Sequence, residues 1–505
     1  MADQHAHPRL RAVCDLLVPS VREAAGRHEY DGVVPDLSPG AVADALGRLG
    51  GEPLDDPHEE AHLAAFETKL RASFGVAALH RRSARPLLEA LDLFVYDRTY
   101  APLEERVEQR RRHLAAWPDA IAAGLESLDQ LSAPVARGLL GSVRGLATGL
   151  DPDDALEGAA LAAHGRLLAH IERRAADGGP DAALGEAALQ ALLADAEAAD
   201  LDLGRMEERA DAERRRLDEL LADACAAVDP DRPVPAVVDA LTDDHPDAGG
   251  VLDEAQRLTD EVIAFTRERG LLADSEGDCR VAPSPPSRRW ATAMLSWAAP
   301  YEPDGPSYYF VTPPDPGLPP QRVRDWLKSF SHTTLPSTTV HEVAPGHFSH
   351  GRLLRRVGSD VAKTLQSAAF IEGWAHYAEE LLLEEGYRAG DPRFQIGVAI
   401  KGLLRVVRMA VALGVHRGTM TLDEAAKRFS EHAFARGPIA EAEALRATFD
   451  PTYGRYTWGK LEILRLRDAA RRQWGAAFSL RRFHHALLDL GAPPVGLAGR
   501  ALESA

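Results

Sequence analysis

The segment from Thr338 to His347 reads TTVHEVAPGH, and its histidines and glutamate are of the types that bind and use a metal ion. In an HExxH helix the two histidines stand four apart. One face then presents both to zinc, and the glutamate polarises the water that attacks the substrate. Here His341 and Glu342 open that pattern, but the second histidine, His347, comes six residues after the first. At about 100° per residue this sets the two roughly 120° apart on an ideal helix. Pro345 adds a second conflict, because inside a helix it would clash with the carbonyl four residues back, that of His341. The chain must therefore bulge or break between the histidines. A bulge that absorbs the two extra residues would return both imidazoles to one side. Taken alone, the spacing also fits two polar loop histidines beside a Pro-Gly turn.

A second stretch, IEGWAHYAE from Ile371 to Glu379, changes the balance. Glu372 lies 25 residues past His347, on a separate helical segment. A carboxylate from a neighbouring helix is the usual third protein ligand in one large class of zinc hydrolases, with water in the fourth position. His341, His347 and Glu372 then form a candidate Zn²⁺ site, with Glu342 as the base. Imidazole and carboxylate also accept manganese, cobalt or iron. The competing reading of Glu372 is an acid that favours a helix N-terminus. His376 and Glu379 follow at spacings of four and three, as groups that orient the ligands or as an exposed stripe. His350, nine residues past His341, is the rival to His347. His332, His350 and His416 otherwise read as structural histidines.

The elements that would position these residues are mostly helical. Leu156 to Ala175 and Ala182 to Val228 repeat apolar residues at three- and four-residue spacing, the period of amphipathic helices. Breaks fall at Val34-Pro35, Gly50-Gly51, Gly178-Gly179-Pro180 and across Asp229 to Gly250. Cys279 to Pro320 is rich in proline. Within it, SYYFV from Ser307 to Val311 reads as a short strand, and its flanking prolines suggest a sheet edge. Helical patterning resumes at Gln321. The fold class expected is mainly α, a large multi-helix fold with a small β element before the metal-binding helix. The chain divides into a helical region, 1–275, and a catalytic metal-binding region, 276–505.

Of the 505 residues, 45% are hydrophobic, enough for a sizeable core, which excludes a disordered chain. The 77 acids against 58 bases give a net charge of −19 and argue against nucleic acid or an anionic membrane as partner. Three scattered cysteines exclude a disulfide framework and a cysteine zinc knuckle. The polar stretch from Met1 to Pro8 does not read as a signal peptide, and no apolar run is long enough to cross a membrane. The expected setting is cytoplasmic.

HEVAPGH, then EGWAHYAE, then YTWGK from Tyr456 to Lys460 together resemble the bacterial family known as domain of unknown function 885. Through it the chain resembles the zinc metallopeptidases of the thimet-oligopeptidase and carboxypeptidase-Taq clans. The resemblance covers roughly residues 280 to 475 and implies a metallopeptidase-like fold with a deep cleft, the helical first half forming one wall. It implies that the strand at Ser307–Val311 lines the cleft and pairs with substrate backbone. It also implies that Tyr456 stabilises the oxyanion, the alternative being a core tyrosine. The block from Arg405 to His416 resembles the family, save that Ala412 stands where an acid is usual. Arg408 would grip a substrate carboxylate or form a structural salt bridge. His416 joins it as a candidate catalytic residue. The expected function is zinc-dependent cleavage of peptide bonds in short or unfolded peptides, of carboxypeptidase or oligopeptidase type. Hydrolysis of a small non-peptide amide and a silent peptide-binding relative are the alternatives.

Overall fold

The computed structural model describes residues 7–503 apart from 274, 290, 304 and 316. Most of the polar stretch Met1–Pro8 thus lies outside the described residues. Helix accounts for 67% of the structure and strand for 3%, so the fold is mainly α. In the first half the long helices Leu103–Ser127 and Ala155–Asp177 pack on each other around Leu114, Trp117, Ile121, Leu167 and Ile171. The second of these starts where the Asp154 carboxylate accepts from the Leu156 and Glu157 amides, which satisfies donors the helix itself cannot.

The site is carried by helices that we number in chain order: α1 (Leu203–Val228), α2 (Leu335–Glu342), α3 (His347–Leu354), α4 (Ala368–Glu384), α5 (Pro392–Arg417), α6 (Pro438–Phe449) and α7 (Arg455–Trp474). The main core draws on residues from Leu189 to Ala501. The regions 1–275 and 276–505 therefore share it, with α1 lying along α5. No described helix is long and apolar enough to cross a membrane.

Three short strands, β1 (Cys279–Pro283), β2 (Ala293–Ser296) and β3 (Ser307–Val311), form one sheet in the order β1-β3-β2. The expectation of an edge strand at Ser307–Val311 is corrected here. β3 is central, parallel to β1 with Cys279 opposite Ser307, and antiparallel to β2 with Met294 opposite Phe310. The prolines that suggested an edge, Pro306 and Pro313, lie just outside the strand, so every residue within it keeps its N–H for the ladder. β3 turns Tyr309 and Val311 inward. The Tyr309 hydroxyl lies 3.4 Å from Thr339 Oγ1, which ties the sheet to α2. Among the described strands, β2 is the edge that packs beside α2.

Candidate metal centre

Between His341 and His347 the helix breaks. α2 ends at Glu342, three residues short of Pro345, so the clash with the His341 carbonyl never arises. The Ala344–Pro345 peptide is cis, and α3 begins at His347. Gly346 lies so close to the end of α2 that a Cβ there would come 2.0 Å from the His341 carbonyl oxygen. This loop replaces the expected bulge and brings the two imidazole rings to 4.7 Å between centroids, nearly perpendicular.

α4 supplies the third group. Glu372 Oε2 lies 3.4 Å from His341 Nε2 and 3.5 Å from His347 Nε2, and the three ligand atoms all fall within 4.8 Å of one another. Four ligands at about 2.0–2.1 Å around a tetrahedral ion would be separated by about 3.3–3.4 Å. The two shorter spacings match that edge. Glu372 Oε2 is buried and makes no hydrogen bond among the described residues. A buried carboxylate oxygen facing two imidazole nitrogens at 3.4 and 3.5 Å, with no hydrogen bond of its own among the described residues, is a donor set of the kind that Zn²⁺ takes.

Gly373 allows α4 to touch α7, since a Cβ at Gly373 would lie 2.5 Å from Gly459 backbone. Trp374 donates from Nε1 to the Pro345 carbonyl at 2.8 Å and so pins the loop between the histidines. Glu379 lies 2.8 Å from His341 Nδ1, accepts from Ser337 Oγ at 2.9 Å, and pairs with Arg405 at 2.7 Å. With Nδ1–H donating to Glu379, Nε2 of His341 presents its lone pair towards Glu372 and His347. His376 and Glu379 are both 0% exposed, which overturns the exposed-stripe reading. Sequence reasoning missed Arg405, whose guanidinium braces Glu379 from α5.

The two carboxylates beside His341 favour positive charge at its ring. Burial and Arg405 press the imidazolium down, but Glu372 and Glu379 outweigh them and hold its pKa up at about 9. Burial would raise the Glu372 carboxyl, yet His341 and His347 keep it well below the usual range. Glu342 follows His341 at the end of α2. It is 9% exposed, and its carboxylate has no hydrogen-bond or ion-pair partner among the described residues.

Tyr456, in the first turn of α7, is half-buried, with its ring 6.5 Å from that of His341 and inclined by 29°. Its hydroxyl likewise has no partner among the described residues. Arg408 is committed elsewhere. Its guanidinium grips Glu443 of α6 at 2.9 and 2.7 Å and stacks over Tyr453, the structural salt bridge rather than the substrate clamp. His416 does not join the triad either. It is fully buried and donates from Nε2 to the Ala447 carbonyl at 2.8 Å. Ala412 packs with Val411, Val415 and Phe429, so no acid is needed there to orient either residue. His350 bonds to the Gly491 carbonyl at 3.1 Å and leaves the metal position to His347. Lys460 is a buried tie from α7 to Glu213 of α1 and Glu380 of α4. A cavity of about 230 Å³ opens beside Trp297, whose ring touches that of His347. Arg98 and Tyr100 from the first half line it together with Ser296 of β2 and Tyr308 of β3.

Two solved structures share this fold over nearly their whole length. One is described as "a putative lipoprotein of unknown function from Shewanella oneidensis", with a TM-score of 0.76 and 19% identity, covering 99% of this chain and 100% of that one. The other is "the putative lipoprotein from Colwellia psychrerythraea", with a TM-score of 0.79 and 16% identity, covering 98% and 97%. No curated protein matches the chain. The family described as "Bacterial protein of unknown function (DUF885)" matches residues 19–502, and the chain belongs to that family.

Proposed function

We propose that the protein is a zinc-dependent hydrolase of peptide bonds in short or unfolded peptides, related in chemistry to the oligopeptidase-like metallopeptidases. His341, His347 and Glu372 would hold the ion. When bound, Zn²⁺ supplies Lewis-acid polarisation of a carbonyl and lowers the pKa of water. Glu342 takes the proton from the attacking water and passes it to the departing amine. Tyr456 donates its phenol hydrogen to the carbonyl oxygen as negative charge develops there. Glu379, braced by Arg405, keeps His341 in the ligating tautomer. The first half of the chain and the sheet wall a cleft beside Trp297, and β2 is the strand whose free edge can pair with substrate backbone.

The observation that carries this reading is the pairing of a convergent His-His-Glu set with a neighbouring carboxylate, Glu342, that no described residue engages. The test is digestion of a mixed peptide library by the zinc-loaded protein, with products read by mass spectrometry, beside the Glu342→Gln variant. Cleavage by the wild type and none by the variant supports the proposal. Peptide binding without cleavage by either protein identifies a silent binder and overturns it. Cleavage of small non-peptide amides alone would overturn the peptide assignment while keeping the mechanism.

A further inference from the structure

α5 carries three cations at helical spacing, Lys401, Arg405 and Arg408, and the middle one reaches His341. Residues three and four apart on a helix are neighbours, about 5–6 Å between their Cβ atoms. Arg405 is held by Glu379, and Arg408 by Glu443. Across the site, Arg455 is held by Asp450 and Lys460 by Glu213 and Glu380. Lys401 differs from all of these. It is half-buried, yet its ammonium makes no hydrogen bond or ion pair among the described residues. The charges that act on it are Arg405, Glu379, Arg408 and Glu342. It stands one helical turn before Arg405, whose guanidinium lies 3.2 Å from His341 Nδ1.

A cation only partly withdrawn from water stays open to a ligand and gains from acquiring a counter-charge. Charge counting in the site points the same way. With neutral imidazoles and a divalent ion, Glu372 and Glu342 cancel the metal's charge, and Glu379 cancels Arg405. Lys401 remains as one uncompensated positive charge. Burial pushes its pKa down to about 8, and an anion beside it would relieve that cost.

We propose that Lys401 is the subsite for a carboxylate of the substrate, the terminal carboxylate of a peptide, so that cleavage occurs at or near the C-terminus. This rests on the hydrolase reading above and names its substrate class. An arginine could bind a carboxylate bidentately, but the two on this face are already occupied. A lysine offers a point charge on a flexible stem, which accepts the carboxylate without demanding one geometry.

The test uses three peptides blocked at the N-terminus: one with a free C-terminal carboxylate, the same sequence amidated, and an amidated variant of it with a glutamate placed near the C-terminus. The zinc-loaded wild type, Lys401→Met and Lys401→Arg are compared in hydrolysis and, with Glu342→Gln in the background, in equilibrium binding. A charged hydrogen bond of this kind supports a preference of roughly 10- to 100-fold for the free acid over the amide. That preference should fall to near unity in Lys401→Met and largely return in Lys401→Arg. A preference for the side-chain carboxylate alone would overturn the terminal assignment. Equal binding of acid and amide by the wild type, or an unchanged preference in Lys401→Met, would overturn the role of Lys401. If no peptide is cleaved, the hydrolase reading fails, and the binding ratio still decides the role of Lys401. Met replaces an unpaired cation, so folding should survive, and far-ultraviolet circular dichroism checks it.

Discussion

His341 Nδ1 stands 2.8 Å from Glu379 Oε1, and Glu379 is wholly buried. This contact fixes the ring so that Nε2 faces Glu372 and His347. Replacing Glu379 by Gln should weaken zinc binding about 10- to 100-fold, the usual cost of losing such a support. It also leaves Arg405 without its counter-charge, so stability should fall by about 3 kcal/mol. Competition with a chromophoric chelator reads the first effect and urea unfolding the second. An unchanged zinc affinity would refute the supporting role.

Glu342 and Tyr456 should separate from the ligands in their effects. Glu342→Gln is expected to lower kcat by about 10²- to 10⁴-fold while zinc stays bound. Tyr456→Phe should cost about 10²- to 10³-fold in kcat with a small change in KM, because the phenol acts on charge that develops in the transition state. Steady-state kinetics on one peptide with metal content measured in parallel checks both. A Tyr456→Phe enzyme of full activity would return this side chain to the core.

Gly373 and Gly459 hold α4 against α7 and so bring Glu372 and Tyr456 to one site. A methyl group at Gly373 meets backbone, which cannot swing aside as a side chain can. Gly373→Ala should therefore destabilise the fold by about 1–3 kcal/mol. Thermal unfolding measures this, and an unshifted midpoint would show that the helices part easily.

His416 should matter for stability below neutral pH. Burial pushes its imidazole down to about 4, against about 6.5 in an unfolded chain. Between these values the unfolded chain binds the proton and the folded chain does not. The contribution is complete above about pH 6.5 and is lost as the pH falls towards 4. His350 and His484 behave alike, both lowered to about 4 by burial. His416→Gln should thus lose less stability than the wild type between pH 7.5 and 5 in urea titrations. Equal losses would contradict the assignment.

What could be read from the sequence follows from the range of the interactions involved. The helical class was legible because amphipathic spacing is local. The convergent residues His341, His347 and Glu372 were legible as candidate ligands because each sits in a short motif with few alternative chemistries. The loop that joins the histidines could be foreseen from Pro345 only as a bulge or break. Its form depends on Trp374, 29 residues on, donating to the Pro345 carbonyl. β3 was misplaced because prolines mark where a strand stops, whereas its neighbours are chosen by β1 and β2. Arg408 and His416 matched a motif, but their partners Glu443 and Ala447 come from α6, which no spacing within α5 reveals. Arg405 opens a family-like block, but nothing in the sequence gives its partner, and Lys401 carries no signal beyond charge on a helix; the packing of α5 against α2 and α4 is what sets the braced cation apart from the one with no partner among the described residues.

The central claim is that His341, His347 and Glu372 share one divalent ion. Its most direct test is elemental analysis of the purified protein after equilibration with zinc and removal of excess, beside the His341→Ala variant. One zinc per chain in the wild type, absent from a folded His341→Ala protein, is the expected result. A wild type without bound metal, or a variant that retains it in full, would contradict the claim.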